Sequence, residues 1–488
     1  MKKLLFALIL CLILAGCSAA GSKPEAKPES KPTPTVAVVE GQPIEQLSDV
    51  NVYIRATGEK LEVEGLPDYV YSQGSKPSYL GSKEGRYGLN THILANTDAA
   101  SYITYLNALE ADGWVQYSNN IMEGTNLFAT YTKGSGSLYC YYISARQRTY
   151  IITSPDQNLE IREQDNIYTA ICTPLLTQVK LYCQAYQGGM SYLLRLSDGR
   201  FIIIDGGYNE NNYYEAEALY ALMQEQNVLD KPTVAAWILT HPHSDHLGAA
   251  SDFLRHYTEK DVAIQQFIYN FPTEKDGSID EDLTDTNNVA CLPTFLLALE
   301  MRWPDVPITV CHTGQEYYFA DAKLEFLHTL EDYYPKSLDS LSSNQINGAS
   351  AIFTVEIGGQ RTMFLGDCAL DQSASLVEMW TDALKCDIMQ AAHHCQRGGT
   401  VALYEAIDPT VVLAPLPAEN ITARNILSYE ATRWLWNNES GKITEIILSG
   451  FKQRTLELPY TSPEGTAYFP DATTDPWGGK ANQYQTKK

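Results

Sequence analysis

Three histidines and one aspartate fall within six residues of this chain, in the string Thr240-His241-Pro242-His243-Ser244-Asp245-His246-Leu247-Gly248. His241 and His243 are two apart, so in an extended loop both side chains face one point. Asp245 and His246 follow at the predicted start of a helix running towards Tyr257. That change of direction aims two further groups at a neighbouring point. Imidazole nitrogen and carboxylate oxygen suit zinc, and also iron or manganese. Taken alone, Asp245 reads as a helix N-cap and any single histidine as an ordinary polar residue. Their combination at this spacing points to bound metal.

The elements around the string alternate between apolar strands and helices, as in α/β and layered αββα folds. Phe201 to Asp205 is an apolar strand ending before Gly206-Gly207. Ala235 to Leu239 is a strand that leads into the histidines. Ala351 to Ile357 and Thr362 to Leu365 read as a hairpin around Gly358-Gly359. Ile388 to Ala391 and Val411 to Leu413 are further short strands.

The string resembles the HxHxDH signature of the metallo-β-lactamase superfamily, and other landmarks follow in that family's order. Asp205 looks like the first-motif aspartate, which orients the metal loop by hydrogen bonds; its alternative is a simple turn residue. Phe364-Leu365-Gly366-Asp367 resembles the motif whose carboxylate bridges two metals. Ala391-Ala392-His393-His394 resembles the last histidine motif. Of nine histidines, His241, His243, His246, His393 and His394 fall in these clusters. The resemblance, over about Leu181 to Gly450, is nearest to the metallo-hydrolase domain of competence-type DNA-uptake proteins and then to teichoic-acid phosphorylcholine esterases. It implies a four-layer αββα fold and one or two metal ions, zinc first. His241, His243 and Asp367 would hold one ion, and Asp245, His246, His394 and Asp367 the other. Water between them would be acidified into a nucleophile. The phosphorylcholine esterases favour His394 as ligand, with His393 hydrogen-bonding substrate or leaving group. Asp245 would help orient the water.

The chain departs from the family twice. Many members place a histidine just before the strand at Ala351, where this chain has Asn344, Gln345 and Asn347. One site then keeps two imidazoles and Asp367, and a single-metal enzyme stays open. His328 is a fallback ligand, although its strand position favours a supporting role, as for Asn347. Cys395 follows the histidine pair where glycine is common, and Cys368 follows Asp367, so a disulfide or sulfur contact between them is conceivable.

The remaining sequence sets the address. Lys2 and Lys3 precede the short apolar run Leu4 to Leu14, which reads as a signal peptide. Leu14-Ala15-Gly16-Cys17 looks like a bacterial lipobox, with Cys17 acylated (1–17). A Pro-, Lys-, Glu- and Ser-rich tether follows (18–48). Next comes a small α+β domain (49–165) with a helix capped by Asp98 and strands at Leu127–Thr132, Leu138–Ile143 and Thr149–Ile152. The hydrolase-like domain (170–460) and a polar tail (461–488) complete the chain. The expected location is the outer face of the bacterial cytoplasmic membrane, held by a lipid anchor. A net charge of −24 over 488 residues counts against nucleic-acid partners. Thirty-two tyrosines suit strand packing. The cysteines form no CxxC pair. There is no Gly-x-Ser-x-Gly elbow and no GxxxxGK[ST] loop.

These features predict an extracytoplasmic metal-dependent hydrolase, phosphodiesterase-like, acting on a small-molecule or envelope-polymer ester. A lactonase or β-lactamase-type enzyme is the first alternative, and a non-catalytic metal-binding envelope lipoprotein the second.

Overall fold

The computed structural model describes residues 60–71, 77–86, 88–180, 189–209, 213–273, 279, 289–416, 426–449 and 453–463. The expected signal peptide, Cys17, tether and most of the tail lie outside them. The described residues belong to one compact unit. Among the described residues no helix is long and apolar enough to cross a membrane.

The accessory sheet holds six antiparallel strands: β1 (Ser78–Arg86), β2 (Leu89–Ala95), β3 (Val115–Met122), β4 (Asn126–Lys133), β5 (Gly136–Ile143) and β6 (Arg148–Ser154). Alternation along β5 decides what each face covers. Tyr142 and Cys140 pack with Leu94, Tyr102 and Leu106 against helix α1 (Ala99–Ala111). Tyr139 and Tyr141 point the other way and join Leu327, Trp380 and Leu376 of the next layer. The Asp98 carboxylate accepts from Ser101 N–H at 2.7 Å and starts α1, satisfying a donor the helix leaves free.

Two further sheets build the larger domain. The first contains β7 (Leu175–Gln178), β8 (Tyr192–Arg195), β9 (Phe201–Ile204), β10 (Thr233–Ile238), β11 (Ala263–Ile264), β12 (Phe267–Ile268) and β13 (Ile308–Thr309). The second runs in sequence order through β14 (Glu316–Phe319), β15 (Ala322–His328), β16 (Ile352–Ile357), β17 (Gln360–Phe364), β18 (Ile388–Gln390), β19 (Val411–Ala414) and β20 (Glu445–Leu448). A last strand, β21 (Arg454–Glu457), returns to pair with β7 in the first sheet.

Ile202 and Ile204 of β9 face Phe326, Phe353 and Phe364 of the second sheet in a shared core. Phe201 and Ile203 face outward onto Leu219 of helix α2 (Tyr214–Gln226) and Phe253 of α3 (Ser244–His256). Phe295 of α4 (Leu292–Arg302) lies in the same cluster. On the outer side of the second sheet, Met363, Met389 and Val412 pack with Leu376, Leu403 and Trp434. Those residues belong to α6 (Leu370–Met379), α7 (Val401–Ile407) and α8 (Glu430–Trp436), chain order leaving α5 for Ser343–Ile346. The result is the expected α/β architecture of two packed sheets between helices, with strands apolar on both faces.

Candidate metal centre

Strand β10 ends at Ile238, and α3 begins at Ser244 with His243 as its N-cap. Asp245 is therefore inside the first turn of α3 instead of capping it. The loop between is tied down by Asp205, which follows β9 in a left-handed conformation at φ 53°. Asp205 is fully buried. Its Oδ1 accepts from Thr240 N–H at 2.7 Å, and its Oδ2 from Thr240 Oγ1 at 2.7 Å and His246 Nδ1 at 2.6 Å. Gly206 lets α3 approach this loop: a Cβ there would lie 2.5 Å from Ala250 N. Gly206 N–H then donates to His246 O at 2.7 Å.

Asp367 follows β17 through Gly366 (φ 52°), whose missing side chain leaves room for Ser350 and Thr240. The two Asp367 oxygens divide their neighbours. Oδ1 lies 3.1 Å from His246 Nε2 and 3.2 Å from His394 Nε2. Oδ2 lies 3.8 Å from His241 Nε2 and 3.6 Å from His393 Nε2. Asp245 Oδ2 is 3.2 Å from His394 Nε2. The ligand atoms of His241, His243 and Asp367 lie within 4.8 Å of one another, and so do those of Asp245, His246 and His394.

His393, His394 and Cys395 are three consecutive left-handed residues, with φ of 48°, 51° and 58°. Each costs roughly 1–2 kcal/mol for an L-residue, so the surroundings must impose the turn. Ala392 N–H donates to Tyr404 Oη at 3.1 Å, His393 N–H to Gly366 O at 3.1 Å, and Thr432 Oγ1 to Cys395 O at 2.7 Å. The turn splits the adjacent imidazoles. His394 is buried, whereas the His393 side chain keeps 26% exposure. Asn347 Nδ2 lies 3.4 Å from His393 Nε2.

Neighbours decide which ring nitrogens are bare. His243 Nε2 lies 3.2 Å from the carbonyl of Ser343, which only accepts, so Nε2 carries the hydrogen and Nδ1 a lone pair. Thr240 Oγ1 gives its hydrogen to Asp205 and accepts from His241 Nδ1 at 3.1 Å, which leaves His241 Nε2 bare. These two bare nitrogens face each other at 3.1 Å. The pattern repeats on the other side. His246 Nδ1 donates to Asp205, His394 Nδ1 donates to Pro415 O at 3.0 Å, and their Nε2 atoms stand 3.1 Å apart.

Opposed lone pairs at that distance call for a cation. Burial keeps protons off His241 and His243, pushing both below the ordinary imidazole range. Burial opposes charge on His246 and His394 too, but Asp367 outweighs it, with Asp205 or Asp245. The His246 imidazole is held well above its usual value and that of His394 up to about 9. Burial likewise pushes the Asp367 carboxyl up, yet His394, His246 and His393 pull it well below the carboxylate range. A divalent ion would replace those protons, and the donor set fits one on each side of Asp367.

His328 is buried at the end of β15 and belongs to neither ligand set. Its Nδ1 accepts from Gln372 Nε2 at 3.0 Å, and Gln372 also donates to Ser350 O at 2.7 Å. Cys368 and Cys395 are free thiols, so they form no disulfide. The supports missing from the sequence reading are the Ser343 and Pro415 carbonyls and Gln372. A backbone carbonyl leaves no mark in the residue type, and Gln372 lies on a helix outside every motif.

Residues 187–317 match the family model of the Metallo-beta-lactamase superfamily. That span takes in Asp205 and His241 to His246 and stops before Asp367 and His394. The comparison with curated proteins finds no match. Among solved structures, the metallo-β-lactamase fold protein YhfI from Bacillus subtilis is 10% identical, covering 57% of this chain and 96% of its own, at a TM-score of 0.32. CmlA, a diiron β-hydroxylase from Streptomyces venezuelae, is 12% identical, with 59% and 55% covered and a TM-score of 0.35. The short form of human tRNase Z is 12% identical, with 49% and 91% covered and a TM-score of 0.27. The sequence match thus relates residues 187–317 of this chain to the Metallo-beta-lactamase superfamily, and that stretch holds Asp205 and the His241–His246 loop.

Proposed function

We propose that the chain is a two-metal, phosphodiesterase-like hydrolase of the bacterial cell envelope, with zinc as its first candidate ion. The observation that carries this reading is the placement of Asp367 between two pairs of opposed imidazole nitrogens. When bound, the ions supply a nucleophilic water at neutral pH and neutralise charge on the phosphoryl oxygens. His241, His243 and Asp367 would hold one, and Asp245, His246, His394 and Asp367 the other. Asp245 keeps 17% side-chain exposure, which supports a role in accepting a hydrogen bond from the nucleophilic water. His393 is the more exposed imidazole of the pair. It holds a substrate oxygen and passes a proton to the leaving group, with Asn347 at its Nε2. These donors on the open side suit a phosphodiester better than a lactone.

The lipobox at Cys17 supports a lipid anchor and an envelope substrate, either a polymer or a lipid head group. The net charge of −24 disfavours long nucleic acid. The test combines metal analysis with turnover of bis(p-nitrophenyl) phosphate, a lactone and a cephalosporin. Phosphodiester turnover should fall at least 10³-fold in the double variant Asp245→Ala/His246→Ala (roughly the scale of losing a catalytic group). Unchanged turnover in that variant would remove the mechanism, and preference for the lactone or cephalosporin would move the enzyme to the carboxyl-hydrolase class.

A further inference from the structure

The accessory sheet touches a segment that the metal centre depends on. Between β15 and β16 the chain runs through a 3-10 turn (Leu330–Tyr333), a second one (Lys336–Leu338), α5 (Ser343–Ile346) and a last turn (Asn347–Ala349). Its far end serves the site at three points. Ser343 O fixes His243, Asn347 meets His393, and Ser350 Oγ lies 3.3 Å from His241 Nδ1 while accepting from Asp367 N–H at 3.2 Å.

Its near end is held from the accessory sheet. Tyr141 Oη of β5 donates to Asp332 Oδ1 at 3.2 Å. Arg146, in the turn between β5 and β6, donates from one terminal nitrogen to Asp332 O at 3.3 Å and from the other to Ser375 Oγ at 2.5 Å. Its Nε pairs with Glu378 at 3.1 Å, and the side chain is 9% exposed. One guanidinium thus joins the 3-10 turn to α6, the helix whose Gln372 holds Ser350 O. Next to Asp332, the Tyr333 ring lies under Gly348, where a Cβ would come within 2.3 Å of Cζ. The path from Arg146 to the residue beside Asn347 is therefore one of direct contact.

We propose that the accessory sheet is a working part of the metal centre, with Arg146 and Tyr141 as positioning residues for its His241/His243 side. This rests on the metal-centre reading above. A planar fork contacting three partners sets an orientation that a point charge does not. The segment it holds lacks a histidine of its own, so that side of the centre relies on correct placement of Ser343, Asn347 and Ser350.

The test uses the full chain, stripped of metal and titrated with Co²⁺. Binding is followed by d–d absorption, stoichiometry by elemental analysis and folding by calorimetry. His243→Ala marks the spectrum of a centre damaged on that side. Arg146→Ala should weaken one of the two binding steps several-fold, below the roughly 10- to 100-fold of losing a group bonded directly to a ligand, and shift the spectrum towards that of His243→Ala. The second step should stay as in the wild type. Tyr141→Phe removes one hydroxyl without changing volume and should give a smaller shift in the same step. It decides the matter if Arg146→Ala does not fold. Folded variants with both binding steps unchanged would overturn the proposal and leave the metal centre intact. A wild-type chain that binds no Co²⁺ would overturn both.

Discussion

His243 Nε2 sits 3.2 Å from Ser343 O, and this contact gives His243 the opposite tautomer from the other ligand imidazoles. His241, His246 and His394 spend Nδ1–H on Thr240, Asp205 and Pro415 and present Nε2. His243 spends Nε2–H and presents Nδ1. ¹⁵N correlation spectra of the metal-loaded protein should therefore show one imidazole protonated at Nε2 and three at Nδ1 among the ligands. His243→Ala should remove the odd one. Four identical tautomers would contradict the assigned hydrogen bonds.

Asp205 offers the next prediction. All contacts of its carboxylate donate to it: one backbone N–H, one hydroxyl and one imidazole N–H. In Asp205→Asn one of the two terminal positions becomes a donor and meets a donor. Either Thr240 turns away or His246 loses the partner that sets its tautomer. Metal affinity should fall roughly 10- to 100-fold, measured by competition with a chromogenic chelator. A variant that keeps wild-type affinity would show that the loop orients without this carboxylate.

Much of this centre is legible in the sequence because ligand spacing and strand ends are local properties. His241, His243, Asp245 and His246 are neighbours on one loop, and the apolar run Phe201 to Ile204 marks the strand that brings Asp205 beside them. The accessory sheet is less legible. Strands β4, β5 and β6 are rich in aromatic and β-branched residues, whereas β3 reads Val-Gln-Tyr-Ser-Asn-Asn-Ile-Met and β1 contains Gly81 and Gly85. Both lie at sheet edges, where polar residues and glycine are tolerated and the alternation fades. The link from Arg146 to Asp332 spans 186 positions and ends on a carbonyl. No pattern in the chain marks such a contact; packing Tyr139 and Tyr141 against the second sheet brings it about.

His328 predicts a pH dependence of stability. Its Nδ1 accepts from Gln372, and its Nε2 has no hydrogen-bond partner among the described residues. Burial, with the nearby Arg146 charge, lowers the folded imidazole from 6.5 to about 3. Between those values the unfolded chain takes up a proton that the folded chain refuses. This site's contribution is therefore complete above pH 6.5 and is lost as pH falls towards 3. The full loss is on the order of 3–5 kcal/mol, and roughly 2 kcal/mol of it should be gone by about pH 5. In His328→Asn the amide oxygen can still accept from Gln372 but does not titrate. Urea unfolding at pH 7.5 and pH 5 should show a smaller drop in the variant than in the wild type. Equal drops would assign the acid sensitivity elsewhere.

Gly398 tests whether the strained histidine turn is needed. A Cβ at this position would stand 2.3 Å from His393 Cβ and 2.9 Å from Cys368 O. Neither neighbour is the end of a flexible side chain, so Gly398→Ala must move the backbone. The pressure falls on His393, the first of three left-handed residues. His393 should move away from Asp367 and Asn347, while His394 stays tied to Pro415 O at 3.0 Å. The expected outcome is a destabilisation of about 1–3 kcal/mol, as for an overpacked site. Turnover should fall through kcat, with metal content retained. A variant that loses its metal would show that the two imidazoles move as one unit. A variant with full activity would show that the position of His393 is not part of the chemistry.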